Sequence, residues 1–289
     1  MINKKVLILG GNGMLGKDMI SAFINHGFKN ISYTTRSTKL NNNLKHLKFN
    51  IDKNMESKIQ KLKKLKFDIV INCIGIVKPR IIENSIKSIE ETLNVNTLFP
   101  HKLASILNNK TKIFQITTDC VFSGSKGNYD ENSKYDASDL YGMSKSLGEV
   151  KYNNLYNVRC SIIGREINTS YSLVEWFLSQ KNKKVNGFKD HLWNGVSTIV
   201  YSNLLCSIIL HMIKIPNNLH ILPKDKVSKY KLLQIFENHF KNNVTVIPFV
   251  SKSKIDRTLS TKFKNINNEI WNKSIYKKKL SINEIVKTI

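Results

Sequence analysis

The chain has 289 residues, 41% of them hydrophobic and 23% charged, which is enough to bury one large core or two intimate ones and excludes a disordered or collagen-like chain. Forty-six basic against twenty-one acidic side chains leave a net charge of +25, which on its own would raise nucleic acid or an anionic membrane as partner. Only Arg36, Arg80, Arg159, Arg165 and Arg257 are arginine, and the lysines are spread along the chain among abundant Asn and Ile. A site that reads phosphates or bases favours the guanidinium fork, so this charge reads as diffuse surface and no nucleic-acid partner is expected.

The four cysteines, at 73, 120, 160 and 206, stand too far apart for a CxxC pair, and a reducing cytoplasm is the expected location. The basic N-terminus is followed by an apolar run over 6–9 that Gly10, Gly11 and Gly13 break, too short for a signal peptide. No stretch reaches the about 20 apolar residues of a membrane helix.

In chain order, short β-branched runs alternate with amphipathic segments, the pattern of a parallel sheet covered on both faces. Strands are expected over 6–9, 31–35, 47–51, 68–76 and 113–117. Helices are expected over 17–26, closed by Gly27, over 55–66, and over 86–107 with a kink or break at Pro100; another begins near Asp139. After about Gly164 the alternation becomes irregular and richer in aromatics. The expected fold is α/β: a doubly wound parallel-sheet Rossmann domain over 1–165 and a smaller α+β substrate lobe over 166–289, with the chain crossing back near 196–215.

The first strand runs into Gly10, Gly11, Asn12, Gly13, Met14, Leu15, Gly16. Glycines three residues apart at a strand-to-helix turn let the backbone approach a pyrophosphate, whose charge then sits on the helix N-terminus. The position 20 residues beyond Gly16, where an NAD site carries an acid, is Arg36. A guanidinium there cannot accept from a ribose 2′-hydroxyl but can grip a 2′-phosphate, so NADPH is the expected cofactor. Asp52 lies either beside the adenine or in an ordinary loop, and Cys73 and Gly75, at the end of the fourth strand, belong with the cofactor edge.

Tyr141 and Lys145 have the spacing of one helix face, which alone means little in a lysine-rich chain. Thr118 gives the pair weight, because it ends a strand at the carboxyl edge of the sheet, where ligands bind. A hydroxyl, a phenol and an ammonium gathered there can protonate the alkoxide formed when hydride reaches a carbonyl, provided the cation lowers a phenol pKa that is ordinarily about 10.

The stretch Thr117, Thr118, Asp119, Cys120, Val121, Phe122, Ser123, Gly124, with Asn128 to Glu131 and Leu140 to Glu149, closely resembles the extended short-chain dehydrogenases/reductases, most of all the dTDP-4-dehydrorhamnose reductase group. Val95 and Asn96, the segments 159–164 and 195–198, and Arg257, Thr258, Leu259 and Ser260 extend the similarity over nearly the whole chain. The resemblance implies an enzyme in which NADPH reduces the 4-keto group of a nucleotide-linked 4-keto-6-deoxy sugar, in deoxysugar or polysaccharide biosynthesis. Tyr141 would be the proton donor, Lys145 would lower its pKa and hold the nicotinamide ribose, and Thr118 would bond the keto oxygen.

The chain departs from that pattern at Cys120, where the group's TDYVF has tyrosine, and at Gly195, Val196, Ser197, Thr198, which lacks the proline of GxPT. Related GDP-fucose synthases and plant-type rhamnose synthases carry a cysteine at the matching position, which there serves as acid or base in epimerising the sugar. Cys120 is thus open to two readings, an acid/base for 3- or 3,5-epimerisation or a small packing residue. The second acid/base that epimerisation needs would be Glu175 or His191. Trp176, Phe177 and Trp193 would either stack on a base or pyranose or fill a core, Asn194 would touch ligand in a turn, and Arg257 would pair with the diphosphate or lie on the surface. A non-catalytic NADP-binding regulatory subunit is the alternative outside enzymology, and the intact Thr118, Tyr141 and Lys145 argue against it. A homodimer is compatible with the family, though no sequence stripe marks its interface.

Overall fold

The computed structural model describes residues 1–36, 39–40, 43–107, 109–166 and 170–289. The first half runs β1 (Lys5–Leu9), α1 (Met14–Asn25), β2 (Asn30–Thr35), β3 (Lys45–Lys48), α2 (Met55–Lys64), β4 (Ile69–Asn72), α3 (Ile86–Leu93), a π-helical turn (Asn94–Leu98), α4 (Phe99–Ile106), β5 (Lys112–Thr117), α5 (Leu140–Leu147) and β6 (Leu155–Arg159). The second half continues with β7 (Ile162–Ile163), α6 (Leu173–Leu178), β8 (Lys184–Phe188), β9 (His191–Trp193), β10 (Val196–Ser197), α7 (Thr198–Leu210), β11 (Asn218–His220), β12 (Val227–Ser228), α8 (Lys229–Phe240), β13 (Thr245–Phe249), β14 (Ile255–Asp256), α9 (Lys264–Lys273) and α10 (Ile282–Val286).

Seven strands form one parallel sheet in the order β11-β6-β5-β4-β1-β2-β3, with Leu7 of β1 level with Ser32 of β2 and Val70 of β4. Both faces are covered, and the two-residue period of the strands divides the core. Val6 and Ile8 face Met19 and Phe23 of α1, Leu204 of α7 and Trp271 of α9, whereas Leu7 and Leu9 face Ile59 of α2 and Phe99 and Leu103 of α4. α7 is apolar nearly all round because it is buried against α1, and β11 then adds to the edge of the main sheet. The rest of the second half builds its own core from Phe177, Leu232, Phe236, Ile282 and Val286, beside the three-stranded sheet β12-β9-β14. The sheet order reverses between β4 and β1, which places a crevice at their carboxyl ends.

Four elements differ from the sequence expectation. α1 starts at Met14 rather than 17, because the helix springs directly from the glycine turn. The third strand is shorter and earlier than 47–51, covering Lys45–Lys48, and the fourth is shorter than 68–76, covering Ile69–Asn72. The expected helix over 86–107 is α3 and α4 joined by the π turn, and Pro100 sits in the first turn of α4, where its missing N–H is not needed. No described helix is long and apolar enough to cross a membrane.

Candidate active site

The glycine turn is fixed by sterics. Gly10 has φ +80°, a left-handed conformation that side chains rarely adopt, and its N–H donates to Thr34 Oγ1 at 3.0 Å. A side-chain carbon built on Gly16 would stand 2.1 Å from the Gly10 carbonyl oxygen, so only glycine lets α1 pack this closely on the turn. Gly13 is the N-cap of α1 and has no side chain to cap it; Asn12 and Gly13 are exposed, Met14 is half-buried and Leu15 sinks into the core. The first N–H groups of the helix are therefore left for an anion, with no acid in that turn to repel it.

Arg36 follows β2 and is exposed beside this turn, without a partner among the described residues. The Asp52 carboxylate accepts from Lys58 Nζ, Asn50 Nδ2 and Asn54 N, bracing the start of α2. Cys73 is packed against the core, where burial pushes its thiol up to about 12. Gly75 is exposed, and a carbon built on it would come within 3.8 Å of Lys145 Nζ and 3.5 Å of Asn96 Oδ1. Lys145 thus lies directly behind the bare backbone that follows β4.

Thr118 leaves β5, accepts a bond from Cys120 N at 3.1 Å and donates to Asp119 Oδ1 at 3.2 Å. α5 is delivered onto this turn by Asp139, whose carboxylate caps Gly142 N at 2.8 Å, and by Gly142 itself, where any Cβ would meet the Cys120 carbonyl oxygen at 2.3 Å. That close approach sets Tyr141 beside Thr118 and Cys120. One turn later, buried Lys145 donates from Nζ to the Ile116 carbonyl at 3.0 Å. Asn96, turned inward by the π turn, clamps both sides of the crevice: its amide bonds Ile76 N at 2.9 Å, Ile76 O at 3.0 Å and Ser144 Oγ at 3.2 Å. The sequence showed Asn96 only as part of a resemblance, since an asparagine in a helical stretch reveals its direction only when the helix widens.

Burial dominates the electrostatics. It raises the Tyr141 phenol above its ordinary range, with Cys120, Asp119 and Asp139 adding to the rise and the Thr118 hydroxyl opposing it. The sequence assigned the lowering to Lys145; in the structure that influence is Thr118's, because Lys145, itself buried, is held down to about 8 with Glu149 opposing the fall. The Cys120 thiol is pushed up to about 12 by burial and then by Asp119, its acceptor at 3.8 Å. The phenol and the thiol are therefore both protonated at neutral pH, and the arrangement can give a proton to an oxygen placed between Thr118 and Tyr141.

In the second half of the chain, Trp193 is 3% exposed and donates from Nε1 to Ser161 Oγ at 2.9 Å, so its ring is a core member with no free face for stacking. Asn194 is bonded twice to Leu259, accepting from its N–H at 2.9 Å and donating to its carbonyl at 2.8 Å. Its place is to fasten the segment that carries Arg257, which reaches back to the Phe122 carbonyl from Nε at 2.8 Å. Phe177 is core, as is the nearer side of Trp176's helix, and Trp176 itself is 38% exposed. Glu175 is paired with Arg165 at 2.6 Å and His191 bonds Ser251 Oγ at 3.1 Å, so both are engaged within the second half. Lys229 was not singled out by sequence, where it is one lysine among many; its ammonium lies 5.6 Å from the centre of the Trp193 ring.

A glycine turn at the switch point of a parallel sheet, facing a tyrosine and lysine on the helix after the fifth strand, defines the extended short-chain dehydrogenase class. The chain belongs to the RmlD substrate binding domain family, whose model matches residues 4–280. It is similar to a dTDP-4-dehydrorhamnose reductase from Bacillus anthracis solved with NADP, at 18% identity, TM-score 0.76 and coverage of 99% and 98% of the two chains. A dTDP-4-dehydrorhamnose reductase from Yersinia enterocolitica is similar at 17% identity, TM-score 0.73 and coverage of 99% and 98%. The Helicobacter pylori ADP-L-glycero-D-manno-heptose-6-epimerase is similar at 15% identity, TM-score 0.77 and coverage of 99% and 95%. No curated protein matches the sequence.

Proposed function

We propose that this chain is an NADPH-dependent reductase of a nucleotide-linked 4-keto-6-deoxy sugar, working in the cytoplasm in deoxysugar or polysaccharide biosynthesis. The observation that carries the reading is the meeting of Thr118, Tyr141 and Lys145 behind Gly75, on the edge that the glycine turn opens. The uncapped start of α1 and the exposed Arg36 suit the pyrophosphate and 2′-phosphate of the cofactor, which when bound supplies a hydride. Thr118 and Tyr141 then hold the keto oxygen, and the protonated phenol gives it a proton as it becomes an alcohol. Lys145 holds the nicotinamide ribose beside Gly75. Four free cysteines suit a reducing compartment.

Tyr141→Phe tests the reading. NADPH affinity should stay within about twofold while turnover of a dTDP- or UDP-linked 4-keto-6-deoxy sugar falls about 10²–10⁴-fold; undiminished turnover removes the proposed role. NADPH consumption with the keto sugar also separates an enzyme from a regulatory subunit that binds nucleotide without oxidising it.

A second reading adds epimerisation next to the keto group, favoured by the position of Cys120 between Thr118 and Tyr141. Its high pKa makes the thiol a proton donor before it can act as a base. Deuterium from solvent should enter the ring, and Cys120→Ser should stop that exchange while sparing reduction of a pre-epimerised substrate. The exposed apolar side chains of Ile86, Leu98, Met143 and Leu147, on adjoining helical segments, support a homodimer, which light scattering of wild type against Leu147→Lys would detect.

A further inference from the structure

The two-stranded sheet of the second half has one face packed and one face bare. β8 and β13 run parallel, with Val185 level with Val246 and Phe188 level with Phe249. Their period of two turns Val185 and Val246 into the core with α8, and Lys184, Asn186 and Phe188 of one strand, with Thr245, Ile247 and Phe249 of the other, to the opposite face. There Phe249 is 41% exposed, and Val250, the next residue, is 67% exposed. Phe188 meets the Phe249 ring edge to face, their centres 5.4 Å apart, and is itself stacked on His191. Exposed apolar side chains grouped in this way mark a contact surface.

The charge around this apolar tip has one sign. Lys184, Lys189, Lys252 and Lys254 are exposed, and no carboxylate or hydrogen-bond acceptor pairs with their ammonium groups among the described residues. Elsewhere on the surface Lys4, Lys78 and Lys278 each hold a carboxylate within 3.0 Å. The two acids of these segments are already engaged. Asp190 accepts from Ser251 N at 2.9 Å and Ser251 Oγ at 3.0 Å, and buried Asp256 accepts from Thr258 N at 3.0 Å.

A second copy docked here about a twofold axis would set the same four lysines against each other. An added strand is opposed by Pro248. Thr245 N donates to the Lys183 carbonyl at 3.0 Å and Lys189 N to the Phe249 carbonyl at 2.8 Å, so the alternate residues Val246 and Pro248 face the open edge, where proline has no N–H to give. Four separate ammonium groups on flexible stems, with no guanidinium fork among them, match a fluid array of anionic headgroups better than carboxylates in fixed positions. The stems, with Ile247, Phe249 and Val250, suit the apolar layer beneath those headgroups.

We propose that the tip of the β8–β13 pair docks on the surface of an anionic lipid bilayer, with Phe249 and Val250 entering the interface and Lys184, Lys189, Lys252 and Lys254 lying against the headgroups. The inference goes beyond the reductase reading and does not depend on it.

The test is flotation of the full chain with vesicles of phosphatidylglycerol and phosphatidylcholine at a ratio of about 3:7, or of phosphatidylcholine alone, in about 0.15 M salt. Three double variants are compared with wild type: Phe249→Ser with Val250→Ser, Lys252→Glu with Lys254→Glu, and, as a control of equal charge change on exposed α2 positions, Lys61→Glu with Lys63→Glu. Wild type should float with the anionic vesicles only. Each pair of changes at the tip should weaken partitioning at least tenfold while leaving NADPH affinity within twofold, which also shows that these variants are folded; the α2 control should stay within twofold of wild type. Equal loss in the α2 control and the Lys252 and Lys254 variant overturns the proposal, because the net charge of the chain would then carry the binding. Partitioning that survives the loss of Phe249 and Val250 overturns insertion at this tip. Absence of vesicle binding by wild type, with self-association in light scattering that Phe249→Ser with Val250→Ser abolishes, overturns the proposal and makes a second copy the occupant.

Discussion

Glu149 and Arg159 form an ion pair sealed from solvent one helical turn beyond Lys145, with side chains 1% and 2% exposed. The guanidinium lies between the rings of Phe122 and Tyr135, each centred 5.1 Å from its carbon. Removing one partner of such a pair strands the other charge, which costs about 3–5 kcal/mol. Glu149→Gln should lose about that much in urea unfolding. It should also shift activity, because Glu149 supports the charge on Lys145. If the ammonium is the working form, activity falls as pH rises through about 8, and the variant's fall should begin at lower pH.

The proposed grip of Arg36 on the 2′-phosphate would set the choice between phosphorylated and plain cofactor. A charge-assisted bond to phosphate is worth about 1.5–3 kcal/mol, or roughly 10- to 100-fold. Arg36→Ala should raise KM for NADPH by that factor and leave KM for NADH unchanged, read from initial rates with either nucleotide. An unchanged ratio would place the 2′-phosphate elsewhere.

Gly16→Ala puts a methyl group against the Gly10 carbonyl, backbone against backbone, with nothing flexible to yield. Overpacking of this kind costs about 1–3 kcal/mol. The expected result is a lower melting temperature and loss of the thermal shift that NADPH gives wild type.

His220 is buried and neutral: Nδ1 donates to the Ser260 carbonyl at 2.8 Å, so Nε2 must accept from Arg159. Burial and the neighbouring guanidinium hold its pKa down to about 4. An unfolded histidine titrates near about 6.5, so between these values the unfolded chain binds a proton that the fold refuses. Its contribution is complete above about 6.5 and is lost as pH falls toward 4, by about 3 kcal/mol at most. Urea midpoints should fall across that window, and His220→Gln, weaker at every pH, should show a flatter slope there.

The parallel sheet and the glycine turn were legible because their signals are local: β-branched runs of fixed length and a strand ending in Gly10, Gly13 and Gly16. The same holds for Thr118, Tyr141 and Lys145, whose spacing reflects one strand end and one helix face. Trp193 stays open between its two readings in the sequence because an indole that stacks on ligand and one that packs a core have the same signature. Asn194 looked like a ligand contact because its backbone-like bonds to Leu259 join residues 65 apart.

The loop after Thr118 owes its shape to chain that lies far downstream. Tyr129 bonds Thr258 and Ser260 through its backbone, Asp256 N donates to the Gly124 carbonyl, and Arg257 holds Phe122. A ribosome must therefore release most of the polypeptide before the catalytic edge can set. Nascent chains ending short of residue 256 would lack both these ties and the Ile270 and Trp271 side chains of α9 that complete the core behind β1, so the glycine turn and the loop after Thr118 reach their final packing together, late in synthesis.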